Sequence, residues 1–198
     1  MAMSTIIIGL LLLGLVIYVI SIYNSLVTMK NRYLNAFSQI EVQLKRRYDL
    51  IPNLVETVKA YAAHEKDTLT EVTNARAKVG QMTLSADKLG DAAAMQQFQQ
   101  AQGGLSSALS RLMVVVERYP DLKASANFQS LQNELGDVED KLAAARRALN
   151  AAAARFNAAR ESFPAVLFAG MLGFGEADFS RLAESEKGVV DQTPKVAF

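Results

Sequence analysis

The chain begins with a continuous apolar run, and apolar and polar positions alternate with helical spacing after it. Residues 6–20 are apolar without interruption, and no charged side chain occurs before Lys30. About 20 helical residues span the hydrocarbon core of a bilayer, and residues 4–23 fit that length. We therefore predict an uncleaved transmembrane helix, within an anchor segment of residues 1–25.

A cleaved signal peptide is the alternative interpretation of this segment. Three features oppose it: no basic residue precedes the apolar run, the run exceeds a usual signal core, and no small-x-small cleavage site follows. The chain also has no cysteine, which excludes a lipoprotein anchor and disulfides. Lys30 and Arg32 follow the span, so the positive-inside rule predicts an outside N-terminus and a cytoplasmic C-terminal domain at the bacterial inner membrane.

Beyond the span, apolar steps of three and four predict a long helix. The series runs from Leu26 to Val79, with Glu65 and Arg76 as its charged members, and indicates one long helix or two nearly collinear ones. Pro52 should kink this helix because it lacks a backbone N–H. A second interpretation starts a new helix near Pro52, with Asp49 as its cap.

Two further helices are predicted. The second covers residues 91–119, between a connection at residues 83–90 and a turn at residues 119–122. The third covers residues 126–163, and its apolar positions follow the 3-4 spacing of a coiled-coil seam. These positions are Phe128, Leu131, Leu135, Val138, Leu142, Ala145, Leu149, Ala152, Phe156, Ala159 and Phe163.

These elements predict an all-α protein, with an N-terminal transmembrane helix followed by a long-helix antiparallel bundle. The cytoplasmic bundle is assigned to residues 26–163. Residues 164–198 are assigned to an apolar segment, at 165–174, and a flexible C-terminal tail. Glycines at 170, 173 and 175 argue against a long helix in that apolar segment.

Helix lengths indicate a candidate interaction surface. At 1.5 Å per residue the first helix would extend roughly 80 Å beyond the membrane, and the second only roughly 45 Å. A hairpin return would leave the apolar residues 26–48 uncovered, which is typical of an interaction surface. The alternative is a sharp bend at Pro52 that folds the lower part back. The predicted interaction residues are Leu26, Met29, Tyr33, Phe37, Ile40, Leu44, Tyr48, Asp49, Pro52, Asn53 and Glu56.

The sequence predicts no catalytic, cofactor or metal site. His64 is the only histidine, and catalysis at a histidine-bound metal needs more than one such ligand, so a surface or capping role is favoured. The formal net charge of +1 gives no reason to expect nucleic-acid binding. For Lys45, Arg46 and Arg47, a solvated helix face is favoured over contact with lipid head groups.

The run from Lys45 to Glu56, KRRYDLIPNLVE, closely resembles the LemA family. Further matching stretches lie at residues 117–123, 127–128, 145–147, 163–164 and 173–174, so the resemblance covers nearly the whole chain. It implies a bacterial membrane protein with an outside N-terminus and a helical body. One branch of this family resembles a protein tied to magnetosome membrane formation, and other members are encoded near membrane proteases.

We therefore expect a non-enzymatic membrane scaffold that contacts membrane lipid and forms a homo-oligomer through residues 26–48 and 49–56. An adaptor or regulatory subunit of another membrane protein, such as a protease, is the alternative. An enzyme in its own right is the third hypothesis, and the missing catalytic constellation argues against it.

Overall fold

The computed structural model describes residues 2–82 and 91–177, and this part of the chain folds into six helices. They are α1 (Ala2–Tyr61), α2 (Lys66–Gly80), α3 (Ala92–Val116), α4 (Pro120–Ala124), α5 (Ala126–Glu161) and α6 (Ala165–Ala169). The prediction of an all-α fold with long antiparallel helices is confirmed. The predicted connection at residues 83–90 and the tail beyond residue 177 lie outside the described residues.

Helix α1 joins the apolar segment to the bundle without a break. Its most apolar stretch has a mean hydropathy of 2.8, and none of that stretch is buried against the rest of the chain. An apolar helix uncovered on every side is unfavourable in water, whereas a bilayer accommodates it. The segment therefore has the character of a membrane anchor. The helix also continues through Pro52, so no new helix begins there.

The predicted continuation of the first helix to residue 79 is wrong. Helix α1 ends at Tyr61, the chain turns at residues 62–65, and α2 folds back so that the Arg76 guanidinium lies over the Tyr48 ring. Val58 on α1 and Val72 on α2 are both fully buried in the same core. The apolar steps keep their phase across the turn because both helices direct that face toward one core.

The half of the bundle farther from the anchor contains four long elements. We call residues 45–82 and 91–141 the distal half. Here α1, α2, α3 and α5 enclose a core that includes Leu54, Leu112 and Phe128. Asp91 caps α3 by accepting hydrogen bonds from the backbone N–H groups of residues 93 and 94. Pro120 begins the short α4, where the sequence predicted a turn.

Helix α5 returns toward the anchor along almost the whole part of α1 that follows the apolar segment. It has 36 residues, so its length of about 54 Å matches that of α1 from Leu26 to Tyr61. Most of its predicted seam is buried, from Phe128 to Phe156. Four positions differ: Leu131, Ala152 and Ala159 are only partly buried, and Phe163 is 80% exposed because α5 ends before it. Ala153, beside Ala152, is buried instead.

Candidate interaction surface in the membrane-proximal half

The apolar stripe at residues 26–48 is covered within the chain, which corrects the length argument. Leu26, Phe37 and Ile40 are buried in a core that also contains Leu149 and Phe156 of α5. Helix α1 ends 18 residues earlier than predicted, and the stripe packs against α5 rather than against the next long helix. The helix that covers the stripe comes from more than 100 residues later in the chain.

The predicted interaction residues therefore fall into three groups. Leu26, Phe37 and Ile40 are core residues. Others lie at the margin of the core and are partly buried, and three polar ones are exposed. The marginal residues are Met29, Tyr33, Leu44, Tyr48 and Pro52, and the exposed ones are Asp49, Asn53 and Glu56. An interaction role for the marginal and exposed residues stays a prediction.

Three aromatic contacts fix the packing near the anchor. The Tyr33 and Phe156 ring centroids lie 5.5 Å apart, and burial raises the pKa of the Tyr33 hydroxyl. Phe174 follows α6 and contacts both Phe156, at 6.3 Å, and Tyr23, at 5.5 Å. The segment after α5 therefore lies beside the residues where the apolar run of α1 ends.

Among the described residues, two long helices, α1 and α5, run through the half near the anchor. We call residues 22–44 and 142–177 the membrane-proximal half. On one side of the α1–α5 pair, Phe98 of α3 and Phe174 cover the core. On that side Asn157 also exchanges hydrogen bonds of 2.8 and 2.9 Å with the backbone of Ala177. The opposite side of this pair has no such cover from the described residues.

That opposite side contains a groove, which we call the proximal groove. Its volume is about 340 Å³, and it is lined by Met29, Arg32, Ala36, Ala148, Ala151, Ala152 and Arg155. Asn157 and Ala148 are nine residues apart, about 2.5 turns, so they point to opposite sides of α5. The floor of the groove consists of small side chains, and an arginine from each helix stands at its edge. A neighbouring helix could approach this floor closely.

The basic run at residues 45–47 is divided among three environments. Lys45 is exposed and pairs with Asp49, at 3.2 Å. Arg46 lies 3.6 Å from Asp137 of α5. Arg47 is only 4% exposed, contrary to the expected solvated face, and burial lowers the pKa of its guanidinium. Arg46 and Arg47 thus connect α1 to α5, whereas the Lys45 pair lies within α1.

Arg47 links three helices at the boundary between the two halves. Its Nε lies 3.0 Å from Glu139 Oε1 on α5, and its Nη2 donates a hydrogen bond of 2.9 Å to Ser106 Oγ on α3. Pairing offsets the cost of burying a charge, so the partner carboxylate is part of the structural requirement. Sequence spacing gave no signal for this pairing, since Ser106 lies 59 residues away.

The two charged members of the apolar series have intramolecular partners. Glu65 forms an ion pair with Arg118, at 3.1 Å. It also accepts a hydrogen bond from the Tyr119 hydroxyl, at 3.1 Å. Burial and this hydrogen bond raise the pKa of Tyr119. Arg76 Nε donates to the Tyr48 carbonyl oxygen at 3.1 Å. His64 is exposed in the turn at residues 62–65.

Charge is distributed unevenly along the bundle. Among the described residues, the membrane-proximal half carries six Lys and Arg against three Asp and Glu. The distal half carries 11 basic residues against 12 acidic ones. The excess of positive charge is therefore confined to the part beside the anchor. The described residues contain no group of three or more His, Asp or Glu side chains placed to hold a metal ion.

A protein-family model matches most of this chain. The family model described as LemA family matches residues 36–198, from the proximal part of α1 through the rest of the chain. The chain belongs to the LemA family. The resemblance of the KRRYDLIPNLVE run is thereby confirmed, and the run includes Arg47 and Tyr48, which join α1 to its neighbours.

Individual relatives are similar to most of this chain but to a smaller share of their own length. "Magnetosome protein MamQ" of Magnetospirillum gryphiswaldense is 30% identical over 173 residues, and "Magnetosome protein MamQ 2" of Paramagnetospirillum magneticum is 31% identical over 174. Both alignments cover 79% of this chain and 64% of the relative. "Protein LemA" of Metamycoplasma hominis is 29% identical over 134 residues, which are 68% of this chain and 57% of that protein. The chain thus spans less than two thirds of the length of these relatives.

Proposed function

We propose that this LemA family protein is a non-enzymatic scaffold, anchored in the bacterial inner membrane, that self-associates through the proximal groove. The observation that carries the proposal is the open groove itself, lined by alanines on the uncovered side of the α1–α5 pair. The interaction surface therefore differs from the one that the sequence suggested. It includes Met29 of the predicted residues, but its floor is mostly supplied by α5.

The continuity of α1 supports a position of the bundle next to the membrane. Helix α1 passes from its apolar segment into the bundle without a linker, so the bundle stands directly on the membrane. The basic excess of the membrane-proximal half supports a cytoplasmic bundle with the N-terminus outside, following the positive-inside rule. Membrane lipid is accordingly the first partner of this chain.

Membrane anchoring also restricts how two copies can meet. Copies in one membrane stand parallel, so a two-fold axis must run along the membrane normal, and equal heights face each other. The groove of one copy can then contact only the membrane-proximal half of the other. Exposed apolar surface between two helices is unfavourable in water, which favours this contact.

An adaptor for another membrane protein is the second candidate, and the groove edges favour it. Arg32 and Arg155 flank the groove, while the membrane-proximal half offers only Glu41, Glu161 and Glu176 as acidic groups among its described residues. A partner helix with acidic side chains at that height would neutralise both arginines. A regulatory role toward a membrane enzyme such as a protease would use the same groove. The scarcity of nucleophile–base combinations in the sequence supports a non-enzymatic role.

Cysteine crosslinking in intact membranes tests the proposal, because the natural chain has no cysteine. Ala148→Cys puts a thiol in the groove, and Ala154→Cys is the matched control on the same helix. Both alanines are exposed, and they lie about 120° apart around α5. We expect a short bifunctional thiol reagent to give a homodimer with Ala148→Cys and several-fold less product with Ala154→Cys.

The crosslinked products distinguish the scaffold from the adaptor. A crosslinked product that contains a different chain would replace the scaffold with the adaptor. Equal dimer yields from both variants would contradict the groove as the interface, and monomer alone would contradict self-association. A membrane-impermeant thiol reagent applied to Ala154→Cys tests orientation, because a cytoplasmic bundle should be labelled only after the membrane is opened. Light scattering of the protein in mild detergent supplies the mass of the assembly.

A further inference from the structure

The segment that follows α5 exposes a second apolar surface beside the anchor. Four large apolar side chains between residues 163 and 171 are at least half exposed: Phe163 at 80%, Val166 at 50%, Leu167 at 58% and Met171 at 87%. Residues 162–175 contain no charged side chain. An uncharged stretch that leaves this many large apolar groups in water requires a partner.

The position of the segment identifies that partner. Its inner residues Ala169 and Phe174 are buried against the α1–α5 pair, so the segment is held in place rather than extended. Phe174 contacts Tyr23, at the end of the apolar run that forms the anchor, and Ile22 borders the same core. The exposed side chains of this segment therefore lie at the height where the membrane-spanning part of α1 ends.

We infer that Phe163, Val166, Leu167 and Met171 dock into the surface of the lipid bilayer, as a second membrane contact beside the anchor. The apolar side chains would enter the boundary between head groups and acyl chains, where amphipathic elements bury their apolar faces. Lys30 follows the apolar run of α1 and suits the anionic head groups of the same leaflet. This inference rests on the proposed membrane anchoring of α1.

Docking at two points would fix the orientation of the bundle. A single helix allows a bundle to rotate and tilt about the anchor, whereas a second contact on one side of α1 restricts that freedom. The tilt is then set by the segment after α5, and the proximal groove is held at a constant height above the lipid. Two copies would therefore meet with their grooves in register.

Tryptophan fluorescence can test the inference, because the natural chain has no tryptophan. The reporter variants are Met171→Trp and Phe163→Trp, each at an exposed position. Two matched controls lie on α1: Tyr18→Trp, at 50% exposure within the apolar segment, and Tyr61→Trp, at 48% exposure at the distal end. Tyr61 lies about 57 Å farther along α1 than Tyr23.

The full-length variants would be reconstituted in phosphatidylcholine–phosphatidylglycerol vesicles that contain phosphatidylcholine brominated near the head group. We expect Met171→Trp and Phe163→Trp to be quenched to an extent comparable to Tyr18→Trp, and several-fold more than Tyr61→Trp. Quenching of Tyr18→Trp alone would overturn the docking inference and leave the anchor intact. Absence of quenching in Tyr18→Trp as well would overturn both the anchor and the docking.

A protein partner would give a different result. If a second copy covered the segment, Met171→Trp would emit at shorter wavelength without quenching by brominated lipid, and the shift would fade as lipid is added. That result would also overturn the inference. Helical circular dichroism equal to that of the natural chain verifies that each variant has folded.

Discussion

Arg76 Nε–H donates a hydrogen bond of 3.1 Å to the backbone carbonyl oxygen of Tyr48. In a regular helix this carbonyl would accept from the N–H of residue 52, but residue 52 is proline and has no N–H. The Arg76 guanidinium also lies 3.7 Å from the centroid of the Tyr48 ring. A side chain of α2 thus satisfies the carbonyl that Pro52 deprives of its helical donor, and α1 continues through the proline.

This relationship predicts a coupling between Arg76 and Pro52. Arg76→Ala should lower the free energy of unfolding by about 1–3 kcal/mol, because it leaves a polar group unsatisfied. In a Pro52→Ala background the restored N–H can donate to Tyr48, so the same substitution should cost about 1 kcal/mol less. A double-mutant cycle, measured by chemical unfolding of the full chain in detergent, gives this difference. Lys78→Ala, an exposed control on α2, should stay within about 0.5 kcal/mol of the natural chain.

Equal costs of Arg76→Ala in both backgrounds would contradict a role at the carbonyl. The stabilisation would then come from the contact between the guanidinium and the Tyr48 ring alone.

Gly80 ends α2 in close contact with the same tyrosine. A Cβ atom at this position would lie 2.8 Å from Tyr48 Oη and 3.1 Å from the nearest ring carbon. Gly80→Ala should therefore destabilise the bundle, although alanine is favoured over glycine within a helix by about 1 kcal/mol. With Tyr48→Leu as the background the clash is removed, and the same substitution should become stabilising. Thermal unfolding followed by circular dichroism measures both changes, and an unchanged sign would contradict the close approach.

The packing of the membrane-proximal half can be tested by two phenylalanines of the predicted seam. Phe156 is buried between Tyr33 and Phe174, so Phe156→Ala should cost about 3–5 kcal/mol. Phe163 is mostly exposed, and Phe163→Ala in detergent should change the free energy of unfolding by less than about 0.5 kcal/mol. Similar costs at both positions would contradict the end of α5 at Glu161.

The pairing of Asp137 predicts a pH dependence of stability. The hydrogen bond from Lys141 and the nearby Arg46 hold the pKa of Asp137 below its ordinary value of 3.8. A carboxyl group whose pKa is lower in the folded state stabilises the fold above its ordinary pKa. That contribution is lost as the pH falls through the lowered folded-state pKa. Asp137→Asn should therefore lower the melting temperature at neutral pH, and the difference should vanish in acid.

The comparison for this prediction is Asp140→Asn, on the exposed surface of the same helix. Melting temperatures of both variants and the natural chain, measured from neutral pH down to below pH 3.8, separate the effect of Asp137 from general acid unfolding. A difference for Asp137→Asn that persists unchanged in acid would mean that its pairing with Lys141 and Arg46 does not cause the destabilisation.

The sequence by itself determined the helical class, the N-terminal apolar helix, and most of the buried positions of α5. Each follows from spacing along the chain, since a helix buries every third or fourth residue and a span needs about 20 apolar ones. The predicted start of the second helix at residue 91 also agrees with α3, which begins at Ala92 with Asp91 as its cap. The tertiary structure decided which faces meet. A turn at residues 62–65 preserves the phase of the apolar series, and the partners of Arg47, Arg76 and Leu26 come from distant segments. The surfaces that the described residues leave uncovered, at the proximal groove and after α5, depend on those long-range contacts, so local spacing could not reveal them.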